Sequence, residues 1–394
     1  MTQPNDSQLT VFEYTDPDEQ FKGWLVIDGA KNSLCAGGMR VQPGLSREHV
    51  IAMARNMTMK MRICGLPIDG AKCGIDYQPG APGKHAAMAR FMAAIRHYIE
   101  TCYSMGPDLN TNMDELEAIA RDLGLPSVKM AIARAQGLDI PTFLARYDVL
   151  SHKAIGAWTL GQLRAGFGVA MAALATLKSL TIPTKGARIA VQGFGNLAKA
   201  AIVALTEAGV VITAIADAEK CIVRNPGQTL PIQEFLDHQG TLLPTIPDNP
   251  TFRAEEKKAI LTQECDLLVL AAVENVISTA NANLIRAKAV IPGANLAITP
   301  DGDEALFKRG VVALPSFVAG CGGSLSMNGL FGPRQTPDPS QVLDYIASAM
   351  TSIVEKILHK SAAERINPTH AATLICQSAP PAFGQKPYSY DDAK

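Results

Sequence analysis

Residues 187–217 constrain the fold more than any other part of this chain. A short strand-like apolar run, ARIAVQ at 187–192, is followed at 193–209 by a stretch with helical apolar spacing that closes on a glycine. A second strand-like run, VVITAIAD, occupies 210–217. This change of period from strand to helix to strand predicts one βαβ unit, and such a unit places two parallel strands in one sheet.

The second half of the chain continues this pattern. Further short apolar runs lie at 266–272, 288–294 and 310–315, and helical or turn-rich stretches separate them. Alternation of this kind is typical of a parallel sheet that helices cover on both faces. We therefore predict a C-terminal α/β domain that is Rossmann-like and doubly wound.

The turn that joins the first strand of the βαβ unit to its helix fits the pattern G-x-G-x-x-A, with the residues Gly193, Phe194, Gly195, Asn196, Leu197 and Ala198. The first glycine makes the turn, the second lets the backbone approach a pyrophosphate, and the small third residue lets the helix pack on the sheet. The helix N-terminus then faces the phosphates. Because the pattern follows a strand and opens a helix, we expect a dinucleotide cofactor.

Asp217 ends the next strand, where a carboxylate can bind the ribose hydroxyls of that cofactor. A carboxylate would repel a 2′-phosphate, so Asp217 favours NAD. Lys220 and Arg224 follow closely and leave NADP possible.

Composition limits the class of protein. A chain of 394 residues with 47% hydrophobic and 19% charged residues is expected to form two globular domains. The net charge of -1 and the lack of a dense Lys/Arg cluster disfavour nucleic acid and favour a small-molecule partner. No apolar run reaches the roughly 18 residues of a membrane helix, and the start of the chain lacks a signal pattern, so we expect a cytoplasmic protein without membrane contact. The eight cysteines and seven histidines are dispersed, which favours neither disulfides nor a metal site.

The first half predicts a different α/β domain that binds the substrate. Strands are expected at 23–29 and through Arg40, and Ser46 opens an amphipathic helix. We place the substrate and oligomerisation domain at 1–150, the cofactor domain at 151–340, and a closing cleft between them. An amphipathic stretch at about 340–375 is expected to return to the first domain, and 380–394 to be a loose tail.

The segment LPIDGAKCGI at 66–75 surrounds Lys72 with small residues and flanks it with apolar ones. One interpretation is a glycine turn with a solvated lysine. The other is a lysine in a dry pocket, where burial makes an amine available as a base. Lys60 lies twelve residues earlier, and Asp108 stands beside a glycine and a proline. Two lysines and one aspartate could hold a carboxylate and move protons at an amine-bearing carbon.

The chain resembles the glutamate/leucine/phenylalanine/valine dehydrogenase family, from about residue 20 to about 375. The resemblance runs in order through AGGMR, MTMK, LPIDGAKCGI, GPDLNTN, VQGFGN, PGAN and GCGGS. It implies that Lys60 binds the substrate α-carboxylate, that Lys72 activates water and that Asp108 shuttles a proton to and from the substrate nitrogen. It also implies that Gly37 and Gly38 line the pocket and that Asn295 contacts cofactor and substrate. Family members are commonly homo-oligomers.

The resemblance also bears on the substrate side chain. Glutamate-using members have a lysine at the position of Ala36 and a serine at the position of Met327. A glutamate side chain buried without those partners would leave a charge unpaired, which costs several kcal/mol. We therefore expect an apolar or aromatic amino acid, although core packing is an equal explanation of Met327.

Three departures from the family pattern leave alternatives open. Asp69 and Asn110 replace glycines, and Ala165 stands where the family usually has a threonine near the nicotinamide. A carboxylate at Asp69 would oppose the role of Lys72 if the two side chains met. Beside an amino-acid dehydrogenase, the sequence allows a specialised biosynthetic enzyme that uses the same imine chemistry, or a nucleotide-binding protein that has lost catalysis.

Overall fold

The computed structural model describes residues 9–29, 32–245, 249–378 and 385–389, and these form two compact units. The N-terminal unit contains the described residues up to Tyr147, together with Phe331–Arg334 and 385–389. The C-terminal unit contains Asp148–Leu330 and Gln335–Ser378. The first break lies beside the position predicted from the sequence.

The N-terminal unit is built on a five-stranded mixed sheet. Its strands are β1 (Leu9–Thr15), β2 (Lys22–Asp28), β3 (Cys35–Val41), β4 (Asp69–Ile75) and β5 (Tyr103–Pro107), in the order β1-β2-β4-β3-β5. Strands β3, β4 and β5 are mutually parallel, whereas β1 and β2 are antiparallel to their neighbours. The sequence analysis did not predict β1. The helices of this part of the chain are α1 (Arg47–Ile63), α2 (Lys84–Ala94), α3 (Arg96–Thr101), α4 (Met113–Asp122), α5 (Ala131–Gln136) and α6 (Ile140–Ser151).

Side chains alternate across this sheet and separate a core from a second face. Cys35 and Met39 of β3, Cys73 of β4 and Tyr103 and Met105 of β5 point to one face and join the main hydrophobic core. The intervening residues point to the other face, where α1 packs. Ser46 caps α1 as predicted, because its hydroxyl accepts a hydrogen bond from the His49 amide at 3.2 Å.

The C-terminal unit contains the predicted Rossmann-like sheet. The order of its strands is β11-β10-β9-β8-β12-β13-β14, and β9, β8, β12, β13 and β14 are parallel. The bounds are β8 (Arg188–Gln192), β9 (Val211–Ala216), β10 (Lys220–Arg224), β11 (Phe252–Glu256), β12 (Leu267–Leu270), β13 (Ala289–Pro292) and β14 (Val312–Ala313). Two short strands, β6 (Ala154–Ile155) and β7 (Trp158–Thr159), form a separate hairpin.

The helices of this unit are α7 (Leu160–Ser179), α8 (Asn196–Glu207), α9 (Ile232–Asp237), α10 (Pro300–Lys308), α11 (Ser316–Ala319), α12 (Gly322–Phe331), α13 (Pro339–Glu364) and α14 (Pro368–Ser378). Among the described residues, α7 alone is long and apolar enough to cross a membrane. Most of α7 is buried inside the unit, however, where it packs against α8 and α13. It is therefore the core helix of this unit.

The structure corrects the expectation for residues 340–375. Helix α13 packs along α7 and belongs to the C-terminal unit, so this segment does not return to the first domain. An apolar stripe on α13 provides the contact, formed by Val342, Ile346, Met350, Val354 and Ile357. The stripe predicts that the helix is buried on one side, but it does not specify the partner.

The expectation of a loose tail is wrong for residues 385–389. Tyr388 is buried, and both its backbone groups bond to the Gln136 amide: its N–H donates to Oε1 at 3.1 Å and its carbonyl accepts from Nε2 at 2.9 Å. Its ring lies 6.0 Å from that of Phe331. The rest of the predicted tail lies outside the described residues.

Candidate active site

One face of the N-terminal sheet gathers the residues that the sequence analysis singled out. In-register partners on parallel strands point to the same face, and β3 pairs Ala36 with Gly70 of β4 and with Ser104 of β5. By alternation, Lys72 also points to this face. We call it the lysine face, and it carries Ala36, Gly38, Arg40, Gly70, Lys72, Gly74, Ser104 and Gly106.

Asp108 follows β5 directly and forms the centre of a charged cluster on the lysine face. Its Oδ2 accepts a hydrogen bond from Arg40 Nε at 2.6 Å and lies 3.0 Å from Lys72 Nζ. Lys72 is only 2% exposed and Arg40 5%. The second interpretation of Lys72 is therefore the one that the geometry supports, because a solvated turn would expose the ammonium.

The charge state of Asp108 follows from these partners. Burial by itself would raise its pKa, but the charges of Lys72 and Arg40 and the hydrogen bonds that they donate lower this pKa to about 2. Asp108 is thus a carboxylate at any working pH. A partly buried carboxylate that faces an ammonium can exchange protons with a substrate amine placed beside it.

The small residues around Lys72 allow α1 to lie close to β4. A Cβ atom at Gly70 would lie 2.2 Å from the Thr58 amide nitrogen of α1, and one at Gly37 would lie 1.6 Å from the Ala71 carbonyl oxygen. Any larger residue at either position would push these backbones apart. The close packing brings α1 over the lysine face, and α1 carries the buried Lys60.

The loop that holds Asp108 is fixed by its own polar residues. The Asp108 amide donates to Thr111 Oγ1 at 2.9 Å, and that hydroxyl donates to the Met39 carbonyl at 2.8 Å. Asn110 adopts a left-handed conformation with φ 62° and donates to the Val41 carbonyl at 2.9 Å. Asparagine tolerates this conformation, which explains how it can replace the glycine of the family pattern.

Asp69 does not oppose Lys72. It points to the opposite face of β4, where its carboxylate accepts hydrogen bonds from the backbone amide of Asn32 at 3.1 Å and from the side-chain amide of Asn32 at 2.6 Å. Asp69, which replaces a glycine of the family pattern, therefore stabilises the loop before β3. Ala165, the third departure, lies on α7 of the C-terminal unit.

The fingerprint of the C-terminal unit has the backbone that a pyrophosphate needs. Gly193 follows β8 with φ +117°, and a Cβ atom there would lie 2.8 Å from the Ala271 carbonyl oxygen. Gly195 caps α8, and no atom lies within 4 Å of the position its Cβ would take. Phe194 and Ala198 are buried, whereas Asn196 and Leu197 begin α8. The helix N-terminus thus opens at the carboxyl end of the parallel strands, beside the switch point between β8 and β12.

Asp217 follows β9 at the same edge of the sheet, but its carboxylate also has local partners. Its Oδ1 accepts from the amides of Glu219 at 2.7 Å and Lys220 at 2.8 Å, and its Oδ2 accepts from the Leu243 amide at 2.6 Å. A carboxylate offers about four acceptor sites, so these three bonds leave one for a ribose hydroxyl. The ribose contact remains a prediction, and Asp217 also holds the turn after β9.

Two predicted residues lie elsewhere in the C-terminal unit. Asn295 follows β13, again at the carboxyl end of a parallel strand. Met327 is buried on α12, and its sulfur lies 3.4 Å from Arg164 Nη1 of α7. Arg164 Nη1 also donates to Ser326 Oγ at 2.9 Å. Their contacts with substrate or cofactor remain predictions.

Two buried cations were missed, Arg40 on the lysine face and Lys129 beside β5. Arg40 belongs to AGGMR, one of the segments that carry the family resemblance. This motif could have identified Arg40 as a residue of the site. Lys129 lies in an apolar stretch, LPSVKMAIA at 125–133, and only its apolar neighbours distinguish it from a solvated lysine. No group of three or more metal-ligating side chains is found in the part of the chain that the structure describes.

Two family models match most of the chain. "Glutamate/Leucine/Phenylalanine/Valine dehydrogenase" matches residues 161–378, and "Glu/Leu/Phe/Val dehydrogenase, dimerisation domain" matches residues 7–124. An NADP-specific glutamate dehydrogenase of Saccharolobus shibatae is 27% identical over 312 residues, which cover 77% of this chain and 69% of the relative. An NAD-specific glutamate dehydrogenase of Peptoniphilus asaccharolyticus is 29% identical over 315 residues, which cover 77% of this chain and 71% of the relative.

Solved structures share the fold. The hetero-hexameric glutamate dehydrogenase of Thermus thermophilus in its Leu-bound form aligns with a TM-score of 0.73 and 21% identity, over 93% of this chain and 86% of that one. L-tryptophan dehydrogenase of Nostoc punctiforme aligns with a TM-score of 0.59 and 16% identity, over 94% of this chain and 95% of that one.

Proposed function

The chain belongs to the glutamate/leucine/phenylalanine/valine dehydrogenase family and is an NAD(P)-dependent amino-acid dehydrogenase, and we propose that its catalytic residues are Lys72 and Asp108. The reaction converts an L-amino acid and water to a 2-oxo acid and ammonia, and it is reversible. One observation carries the assignment of residues. The buried Lys72 and the partly buried Asp108 form a pair at 3.0 Å on the face of the sheet that α1 covers with Lys60.

Each proton step has a group to perform it. Asp108 accepts a proton from the substrate nitrogen, which leaves a lone pair to form the carbon–nitrogen double bond as hydride departs from Cα. The nicotinamide of the bound cofactor supplies the hydride acceptor. Lys72, after it has given up its proton, takes one from the water that attacks the imino carbon. Asp108 returns a proton to the nitrogen and, ionised again, accepts the hydroxyl proton as the carbon–oxygen double bond forms and ammonia leaves.

Two further cations support these steps. Lys60 holds the substrate α-carboxylate, in keeping with its buried place on α1. Arg40 is a positioning residue that acts through Asp108, since its Nε donates to the same oxygen that Lys72 approaches. An arginine keeps its charge at every working pH, so Arg40 maintains the ionised form of Asp108.

The cofactor is NAD or NADP, and we propose a preference for NAD. Gly193 and Gly195 fit the pyrophosphate because their backbone leaves the N-terminus of α8 open. The carboxylate of Asp217 at the end of β9 supports NAD, because it would repel a 2′-phosphate. Asp217 is the one residue to which we assign a contact with the ribose.

For the substrate side chain, two classes have support. The apolar residues Ala36 and Met327 favour an apolar or aromatic amino acid. The argument against glutamate assumed that no buried cation would meet the side-chain carboxylate of that substrate. Lys129 is a buried cation, only 4% exposed, and weakens this assumption. Relatives named glutamate dehydrogenase weaken it further.

We also propose a homo-oligomer that forms through the N-terminal unit. The support is that the family model matching residues 7–124 is described as a dimerisation domain. Light scattering coupled to size-exclusion chromatography would test this proposal, and a monomer at micromolar concentration would contradict it.

The experiment that tests the proposed function measures NADH and NADPH formation with a panel of L-amino acids at alkaline pH. We expect turnover with at least one of them, and we expect Lys72→Ala to abolish that turnover while NAD binding persists. Turnover restricted to an unusual amino acid would favour a specialised biosynthetic enzyme. Cofactor binding without turnover of any amino or oxo acid would contradict the proposal.

A further inference from the structure

We propose that Lys129 recognises the substrate side chain, and that this side chain ends in a hydrogen-bond acceptor such as a carboxylate. The inference rests on the proposed deamination and names its substrate class. It assigns to a residue outside the recognised motifs the role of a specificity determinant.

The position of the Lys129 ammonium carries the inference. Its Nζ donates to the Met105 carbonyl at 2.9 Å, and a Cβ atom at Gly106 would lie 3.7 Å from it. Gly106 pairs with Gly38 and points to the lysine face. The ammonium therefore lies over the same face as Lys72 and Asp108, although its backbone belongs to the segment before α5.

A rigid network holds Lys129 in this position. The Lys129 amide donates to Ser127 Oγ at 3.1 Å, and that hydroxyl donates to Glu117 Oε1 at 2.8 Å. Glu117 also accepts from the Tyr147 hydroxyl at 2.8 Å. The Met105 amide donates to the Val128 carbonyl at 3.0 Å, so the segment is bonded to the edge of β5. A cation placed by buried, bonded groups is pre-organised to bind a ligand.

The distance along β5 matches a short polar side chain. Gly106, beside Lys129, and Asp108, which meets the substrate nitrogen, are two residues apart, or about 6.6 Å along a strand. Gly38, which pairs with Gly106, and Ala36, which pairs with Ser104, place nothing longer than a methyl group on the adjacent face of β3. A substrate side chain can therefore cross from Asp108 to Lys129. An ammonium offers three donors and no acceptor, so the group that it binds is an acceptor.

The test compares L-aspartate and L-glutamate with L-norvaline as substrates of the wild type, Lys129→Met and Lys22→Met. Lys22 is an exposed residue of β2 and serves as the matched control. We expect the wild type to prefer an acidic amino acid in kcat/KM. We expect Lys129→Met to reduce the ratio of acidic to apolar kcat/KM by about tenfold to 100-fold, as for a lost hydrogen bond to a charged group. Lys22→Met is expected to retain the wild-type ratio.

A binding measurement keeps the inference separate from the catalytic proposal. Glutarate and pentanoate differ by one carboxylate, and calorimetry compares their affinities for the wild type and for Lys129→Met. Stronger binding of glutarate that Lys129→Met removes would support the inference, even if no amino acid were turned over. Turnover with a preference for norvaline that Lys129→Met does not change would overturn it, while the deamination would stand. Thermal unfolding of each variant shows whether it is folded.

Discussion

Arg40 and Lys72 meet at one carboxylate oxygen. Oδ2 of Asp108 lies 2.6 Å from Arg40 Nε and 3.0 Å from Lys72 Nζ, although β3 and β4 present the two cations from different strands. The two cations are not equivalent, because an arginine stays charged whereas a lysine can release its proton. The arrangement therefore gives Asp108 one permanent partner and leaves Lys72 available for proton transfer.

The first prediction concerns Lys72. Replacement by methionine keeps the length of the side chain but removes the amine, and we expect kcat to fall by about 100-fold to 10,000-fold, the usual contribution of a general base. The measurement is steady-state turnover beside NAD affinity, with Lys22→Met as the control. An activity close to that of the wild type would show that the water-activating group is not Lys72.

The second prediction concerns pH. The pKa of Asp108 in the folded protein, about 2, lies below the value for an unfolded chain, so its ion pairs stabilise the fold fully above about pH 4 and lose this contribution as the pH falls toward 2. Arg40→Gln removes one of the two cations and should raise the pKa of Asp108. We therefore expect the acid limb of the kcat/KM profile to move to higher pH.

The pH profiles of the wild type and Arg40→Gln over the acid range check this prediction. A merely structural role of Arg40 would lower activity equally at every pH. Identical acid limbs, with or without such a uniform loss, would contradict the role of Arg40 as the residue that keeps Asp108 ionised.

The third prediction concerns Gly37. A Cβ atom there would lie 1.6 Å from the Ala71 carbonyl oxygen, so Gly37→Ala must push β3 and β4 apart. We expect the free energy of unfolding to fall by about 3 kcal/mol, at the upper end of overpacking. Gly80→Ala is the matched control, because no atom lies within 4 Å of the position of its Cβ. Equal denaturant midpoints for the two variants would refute the close approach.

The fourth prediction concerns the choice of cofactor. Asp217→Asn removes the negative charge but keeps an oxygen that can accept from the amides of Glu219 and Lys220. Two like charges about 4 Å apart repel by about 1 to 4 kcal/mol in aqueous or surface surroundings. We therefore expect the ratio of kcat/KM for NADP to that for NAD to rise by about tenfold. An unchanged ratio in a stably folded variant would remove Asp217 from the ribose site.

Local sequence patterns predicted those parts of the fold that depend on neighbouring residues. The change of apolar period gave β8, α8 and β9, and Ser46 marked the start of α1. In the site, Lys72 and Asp108 were found because they lie in recognisable motifs. Their convergence could not be derived, because it depends on the pairing of β3 with both β4 and β5.

Contacts between distant segments account for what the sequence did not predict. Lys129 is held beside β5 by a turn that Glu117 and the edge of β5 fix, and no local pattern encodes that turn. The partner of α13 is another such case, since an apolar stripe can pack on either domain. Tyr388 meets a side chain 252 residues earlier in the chain.

The last prediction tests that long-range contact. Gln136 donates to the carbonyls of Phe331 and Tyr388 and accepts from the Tyr388 amide, all in buried surroundings. Gln136→Leu preserves the approximate volume but leaves these backbone groups without their partner, and each unsatisfied buried group costs about 1 to 3 kcal/mol. We expect the free energy of unfolding to fall by at least about 1 kcal/mol. Gln78→Leu, at an exposed position, is the control. Equal stability of the two variants would show that residues 385–389 contribute little to holding the N-terminal unit together.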